Sequence, residues 1–161
     1  TTMNKVEALR LLLAQGVSLA RHENGLSVLH LAMAFGCDPD VVHALVAARC
    51  SVQDRAQPKF GTRLWVMISG CSWAYRLGRR DPYTLIFYHM RGSTPLLTAM
   101  AAGRLSVART LLGHRADIRD RTARGLSALE LVEATGLYSA PAATRLLGCG
   151  SMEDLSSRMR R

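Results

Sequence analysis

Lysine is nearly missing from this chain: its 161 residues hold 19 arginines but only Lys5 and Lys59. Aromatic residues are few, at 6%. No apolar run reaches the ~18 residues that a membrane span requires. No GxxxxGK[ST] phosphate loop occurs, and Gly148-Cys-Gly150 stops two glycines into a dinucleotide fingerprint. His22-Glu23 continues as Asn-Gly-Leu, so there is no HExxH zinc helix, and a GxSxG nucleophile elbow is also missing. Cys37, Cys50, Cys71 and Cys149 form no CxxC pair and have no metal spacing. They read as small apolar residues in a reducing compartment, the cytoplasm first, with nucleus and organelle left open. No secretory leader is legible at Thr1-Thr2-Met3, and a segment upstream is left open. These absences exclude the common cofactor, metal and nucleophile chemistries as sequence-level readings. The expectation is a non-enzymatic chain with no cofactor and no metal.

What is present is repetition. Gly25-Leu-Ser-Val-Leu-His-Leu-Ala32, Gly92-Ser-Thr-Pro-Leu-Leu-Thr-Ala99 and Gly125-Leu-Ser-Ala-Leu-Glu-Leu-Val132 share the pattern Gly-x-(Ser/Thr)-x-Leu-x-x-(Ala/Val). Ser127 follows Thr94 by 33 residues, and Thr94 follows Ser27 by 67, two such periods plus one. A fixed period of this size marks a stacked-repeat solenoid, which spends its sequence on a long binding surface.

Each motif is followed or preceded by an amphipathic helix. Apolar residues recur at three- and four-residue steps in Val6, Leu9, Leu12, Leu13, in Val42, Leu45, Val46, and in Val107, Leu111, Leu112. A unit is therefore a short helix, a glycine turn, a second helix and an extended loop. Ser27, Thr94 and Ser127 stand at N-cap positions, Pro95 fits the first helical turn, and Gly36, Gly103 and Gly136 close the first helices. Asn4 and Glu7 read as the cap and capping-box partner of an unpaired second helix at the start, which leaves Val6, Leu9 and Leu13 in need of cover.

The chain resembles the ankyrin-repeat family. The residues that carry the match are Thr94-Pro95-Leu96 with Ala99, Ser27-Val28-Leu29-His30 with Ala32, and Leu111-Leu112 leading into Ala116-Asp117-Ile118. Arg115 stands where the family has Gly, and Leu97 and Glu130 stand where His30 keeps the family's His. The resemblance covers 4–57 and 92–148. It implies an all-α solenoid over 1–150, with a partial unit at 4–24 and units near 25–57, 58–91, 92–124 and 125–148. A capping helix or tail would follow at 151–161, starting at Ser151-Met-Glu-Asp154.

Residues 58–91 break the pattern. Gly61-Thr-Arg-Leu64 is a motif start, with Leu64, Trp65, Met67 and Ile68 lining a first helix. No Leu-Leu second helix follows, and Tyr83-Thr-Leu-Ile-Phe-Tyr88 favours extended structure by propensity. The favoured reading is a degenerate repeat whose large side chains fill the stack. The functional reading is an aromatic and basic recognition element with Arg76, Arg79, Arg80 and Arg91.

The resemblance further implies a protein-interaction scaffold that uses loop tips and the inward face of the first helices. On this chain those positions are Arg21, Glu23, Asn24, Leu26, Ala34 and Phe35, then Met90, Arg91, Ser93, Ala101 and Ala102, then Arg121, Ala123, Arg124, Leu126 and Thr135. The formal charge of +9 suits a protein partner with an acidic face, in a larger complex. The alternative from another class is a basic adaptor in a ribonucleoprotein that meets RNA phosphates through arginine. It rests on charge alone, since no nucleic-acid motif is present.

Overall fold

The computed structural model describes residues 2–16, 19 and 22–147. The proposed tail at 151–161 and Arg21 lie outside them. Among the described residues there is no strand, only an isolated bridge between Arg121 and Ser127. The helices are α1 (Thr2–Ala14), α2 (Val28–Phe35), α3 (Pro39–Ala47), α4 (Arg63–Arg76), α5 (Pro82–Met90), α6 (Pro95–Ala101), α7 (Leu105–Gly113), α8 (Ala128–Thr135) and α9 (Ala140–Leu147).

Two rows of helices form the stack. The first helices α2, α6 and α8 pack in sequence, and behind them run α1, α3, α7 and α9. Leu29, Met33, Leu96, Leu97, Met100, Leu131 and Val132 fill the first row, and Val42, Leu45, Val107, Leu111, Ala143 and Leu147 the second. Apolar burial on this scale dominates the stability, because no single pair could cover its own apolar stripe. The caps follow the sequence. Thr94 Oγ1 accepts from Leu97 N, and Ser127 with Glu130 completes a capping box. Ser27 differs: its hydroxyl bonds His30 Nδ1 at 2.7 Å instead of capping an amide.

The stack corrects the count of units. Because α2 packs directly on α6, one repeat step separates Ser27 from Thr94, and the remaining sequence between them is an insertion. The ends of that insertion are stitched together: Ala56 N donates to Ser93 O, and Gly92 N to Ala56 O, both at 2.8 Å. The block at 58–91 therefore neither fills the stack nor carries an extended segment. It is a helical hairpin, α4 and α5, standing beside the first-helix row. The local reason lies at residues 81–82. Asp81 accepts from the Thr84 amide and Pro82 takes the first turn, so the helix starts there whatever the β-propensity of Tyr83–Tyr88. Thr62 likewise caps α4 by accepting from Trp65 N.

The start of the chain also departs from expectation. The helix already runs at Thr2, so Asn4 lies within its first turns and is not its cap. Leu9 packs against the core and Val6 and Leu13 face α3 across a cleft, while Leu11 and Leu12 are the exposed leucines.

Candidate functional site: loop tips and an inserted hairpin

The loop tips are bound to one another along the stack. His30 Nε2 bonds Ser93 O at 2.9 Å, so the histidine fastens its own unit to the next loop. Arg55 donates to Gly92 O at 3.0 Å and Arg121 O at 3.1 Å and pairs with Asp120, which ties three successive loops together. Burial raises the Asp120 carboxyl above its ordinary range despite that guanidinium. Gly25 is required where it stands. Its φ is +87°, and a Cβ there would sit 1.8 Å from Gln57 O.

On this frame α5 lays Leu85, Phe87 and Met90 inward, and Phe87 and Met90 join Leu26, Ala56 and Ile68 in a second apolar cluster. The hairpin thus covers part of the inward first-helix face. A column of stacked groups fixes it to the last loop: Arg80 lies 3.8 Å over Tyr75, Tyr75 stacks on Tyr88 at 3.9 Å, and Arg124 lies 3.6 Å over Tyr88. Arg124 Nε also donates to Tyr88 O at 3.0 Å. His89 is 3% exposed beside this column. Among the described residues neither of its ring nitrogens has a hydrogen-bond partner, and burial lowers its pKa from 6.5 to about 4, helped by Arg124.

Two grooves flank α4. One, of about 240 Å³, is the apolar seam between α2 and the hairpin, lined by Leu26, Leu31, Phe35, Leu64 and Met67 with Arg63 among them. The other, of about 280 Å³, lies between α4 and the loop tips and is lined by Trp65, Ser69, Ser72, Trp73, Arg76, Arg91 and Arg124.

The sequence-derived site residues take different places on this surface. Phe35 is 78% exposed and stands at the seam with half-buried Asn24, while Glu23 is exposed nearby in sequence. Leu26 and Ser93 are interior, at 1% and 2% exposure. Arg91 is exposed, and Leu126 is half-buried. Arg121 donates to Gly125 O and pairs with Glu130 at 3.4 Å. Trp65, Trp73 and Arg76 were not among the binding residues that the resemblance implied, because a repeat register carries no position for an inserted hairpin. Their clustering in an otherwise aromatic-poor chain was the signal that pointed to them.

Among the described residues no group of three His, Cys, Asp or Glu could hold a metal ion, and no helix is long and apolar enough to cross a membrane. No curated protein matches the chain. The Ankyrin repeat family model matches residues 91–123, which hold α6 and α7. Such repeats are protein-interaction modules. With α2–α3 and α8–α9 stacked on either side of the matched unit, the architecture is that of an ankyrin-like helical solenoid around one matched repeat, its stack interrupted by one inserted hairpin.

Proposed function

We propose that this protein is a non-enzymatic interaction scaffold that holds a partner protein along its loop tips and at the seam between α2 and the inserted hairpin. The supporting observation is Phe35. It is a phenylalanine at 78% exposure at the mouth of an apolar groove, beside Met67 and Leu64. Aromatic anchors next to arginine concentrate binding energy at protein interfaces. Glu23, Asn24, Arg91, Arg121 and Arg124 supply the polar rim and Leu126 a further apolar contact, while Leu26 and Ser93 support it from beneath. Affinity capture from the native cell, comparing the unaltered chain with Phe35→Asp, tests the reading. Proteins held by the former and lost from the latter support it. An identical protein set, or capture abolished by nuclease, sinks it, and the second outcome favours the RNA adaptor.

A further inference from the structure

The groove on the other side of α4 has a composition that the repeat architecture does not require. Trp65, Ser69, Ser72 and Arg76 follow each other at four- and three-residue steps, so they form one stripe along the helix. The two serines lower the middle of that stripe and the indole and guanidinium rise at its ends. Opposite stand Arg91 and Arg124 from the loop tips. Trp65 and Arg76 are eleven residues apart, about 16 Å along a helix axis. That length takes about five residues of extended chain.

The charge around this groove is of one sign. It is lined by three arginines and by no carboxylate. Three arginines elsewhere on the surface have acidic partners: Arg55 with Asp120, Arg79 with Asp81, Arg121 with Glu130. Arg76 and Arg91 have no ion-pair partner among the described residues and are exposed. Arg124 is held in place by its bond to Tyr88 O and by the Tyr88 ring, which uses one of its five N–H donors. Its orientation is thus set before any ligand arrives. Trp73, at 68% exposure, offers an apolar surface beside these cations.

We propose that this groove binds a short acidic segment of a partner protein, with carboxylates on Arg76, Arg91 and Arg124 and one apolar side chain against Trp65 and Trp73. The inference rests on the reading of the chain as a protein-binding module, and it names a second contact on a different face of α4 from the Phe35 seam. Carboxylates match the planar fork of a guanidinium two-pronged. A single-stranded nucleic acid would need free aromatic faces on which successive bases stack. Trp65 is already engaged by Phe60, whose ring meets it at 4.5 Å and 61°.

The chain has only two tryptophans, Trp65 and Trp73, and both line the groove. Intrinsic tryptophan emission of the full chain therefore reports occupancy directly. The probe is a blocked pentapeptide with the order Asp-Glu-Phe-Glu-Asp, set against one with lysine at every acidic position and against a ten-nucleotide uridine RNA. The expected result is a saturable emission change with the acidic peptide alone. Combining Arg76→Glu with Arg91→Glu weakens it by about tenfold or more, with the far-ultraviolet helical signal unchanged. Ser69→Glu, which places a competing carboxylate on the groove floor and leaves every arginine in place, weakens it as well. The proposal is overturned by no emission change with the acidic peptide, by an equal response to the lysine peptide, by tighter binding of the RNA, or by full affinity in both variants. Any of these with Phe35-dependent capture intact removes the groove and leaves the scaffold function standing.

Discussion

Helices α6 and α4 were made under different constraints. All seven residues of α6 are buried, whereas α4, with fourteen residues, buries Ile68 alone. The first lies between α2 and α8 and has neighbours on both sides, so every position is fixed by packing. The second is covered on one side by α5 and by the stack, and the rest of its circumference is free to carry Val66, Trp73 and arginines. In a solenoid the repeat register belongs to what neighbours must share. An insertion leaves the register intact only because its two ends meet, as Ala56 and Gly92 do. Binding chemistry can then be added without disturbing the stack.

The largest effect that separates these regions is cavity formation. Leu97→Ala in the stack costs about 3 kcal/mol, because Leu97 is fully buried. Trp73→Ala on the hairpin shifts stability by at most about 0.5 kcal/mol. Chemical denaturation followed by circular dichroism measures both, and equal costs would erase the distinction.

Acid distinguishes the regions next. His89 has its pKa lowered to about 4 from 6.5, so the folded hairpin binds fewer protons than the unfolded chain between those values. Its contribution is complete above pH 6.5 and declines as pH falls toward 4. The full difference is about 3 kcal/mol at most. Near-ultraviolet signal from the Tyr75–Tyr88 stack should fade over that window, and His89→Leu should remove the dependence on this step. A stack that loses its signal at the same pH as the hairpin would argue against separate behaviour.

Arg124→Ala tests the tie between hairpin and last loop. It removes the bond to Tyr88 O and the guanidinium over that ring, and should cost about 1–2 kcal/mol. The loss should fall on the hairpin, read as faster amide exchange in α5 with α6 and α7 unchanged. Uniform exchange throughout would mean that the hairpin and stack open as one.

The smallest effect belongs to the loop after α7. Arg115 has φ of +63°, in the left-handed region that disfavours a residue with a side chain. Arg115→Gly should be stabilising by up to about 1 kcal/mol, the gain from relieved strain being offset in part by the entropy of a more flexible unfolded chain. A loss of stability on thermal unfolding would show that the arginine side chain outweighs the strain.

Several parts of the structure were legible beforehand. The caps at Thr94 and Ser127, the turn at Pro95 and the apolar steps of α3 and α7 act over three or four residues, so local sequence reveals them. Thr62 and the stripe from Leu64 to Ile68 announced α4 in the same way. Asp81-Pro82 was an equally local helix-start signal, and it outweighed the β-propensity of Tyr83–Tyr88. Of the candidate site, the positions of Phe35, Arg91 and Arg124 at the loop tips and first-helix face could be read from the register, and all three are exposed. Trp65, Trp73 and Arg76 stood out only as part of an aromatic and basic block, since their place against the loop tips depends on where the hairpin lies.

The sequence by itself determined the repeat unit, because its signals are short-range: hydroxyl caps, small residues at close helix contacts and glycine at turns. It also determined the excess of arginine and the confinement of most aromatics to one block. Only the tertiary structure decided which helices are neighbours. The spacing of 67 residues fits two repeat periods as well as one period plus an insertion, and periodicity cannot choose between them. The choice was made by packing: α6 covers the apolar face of α2, so the hairpin is left beside the stack, with its tryptophans and arginines facing the loop tips.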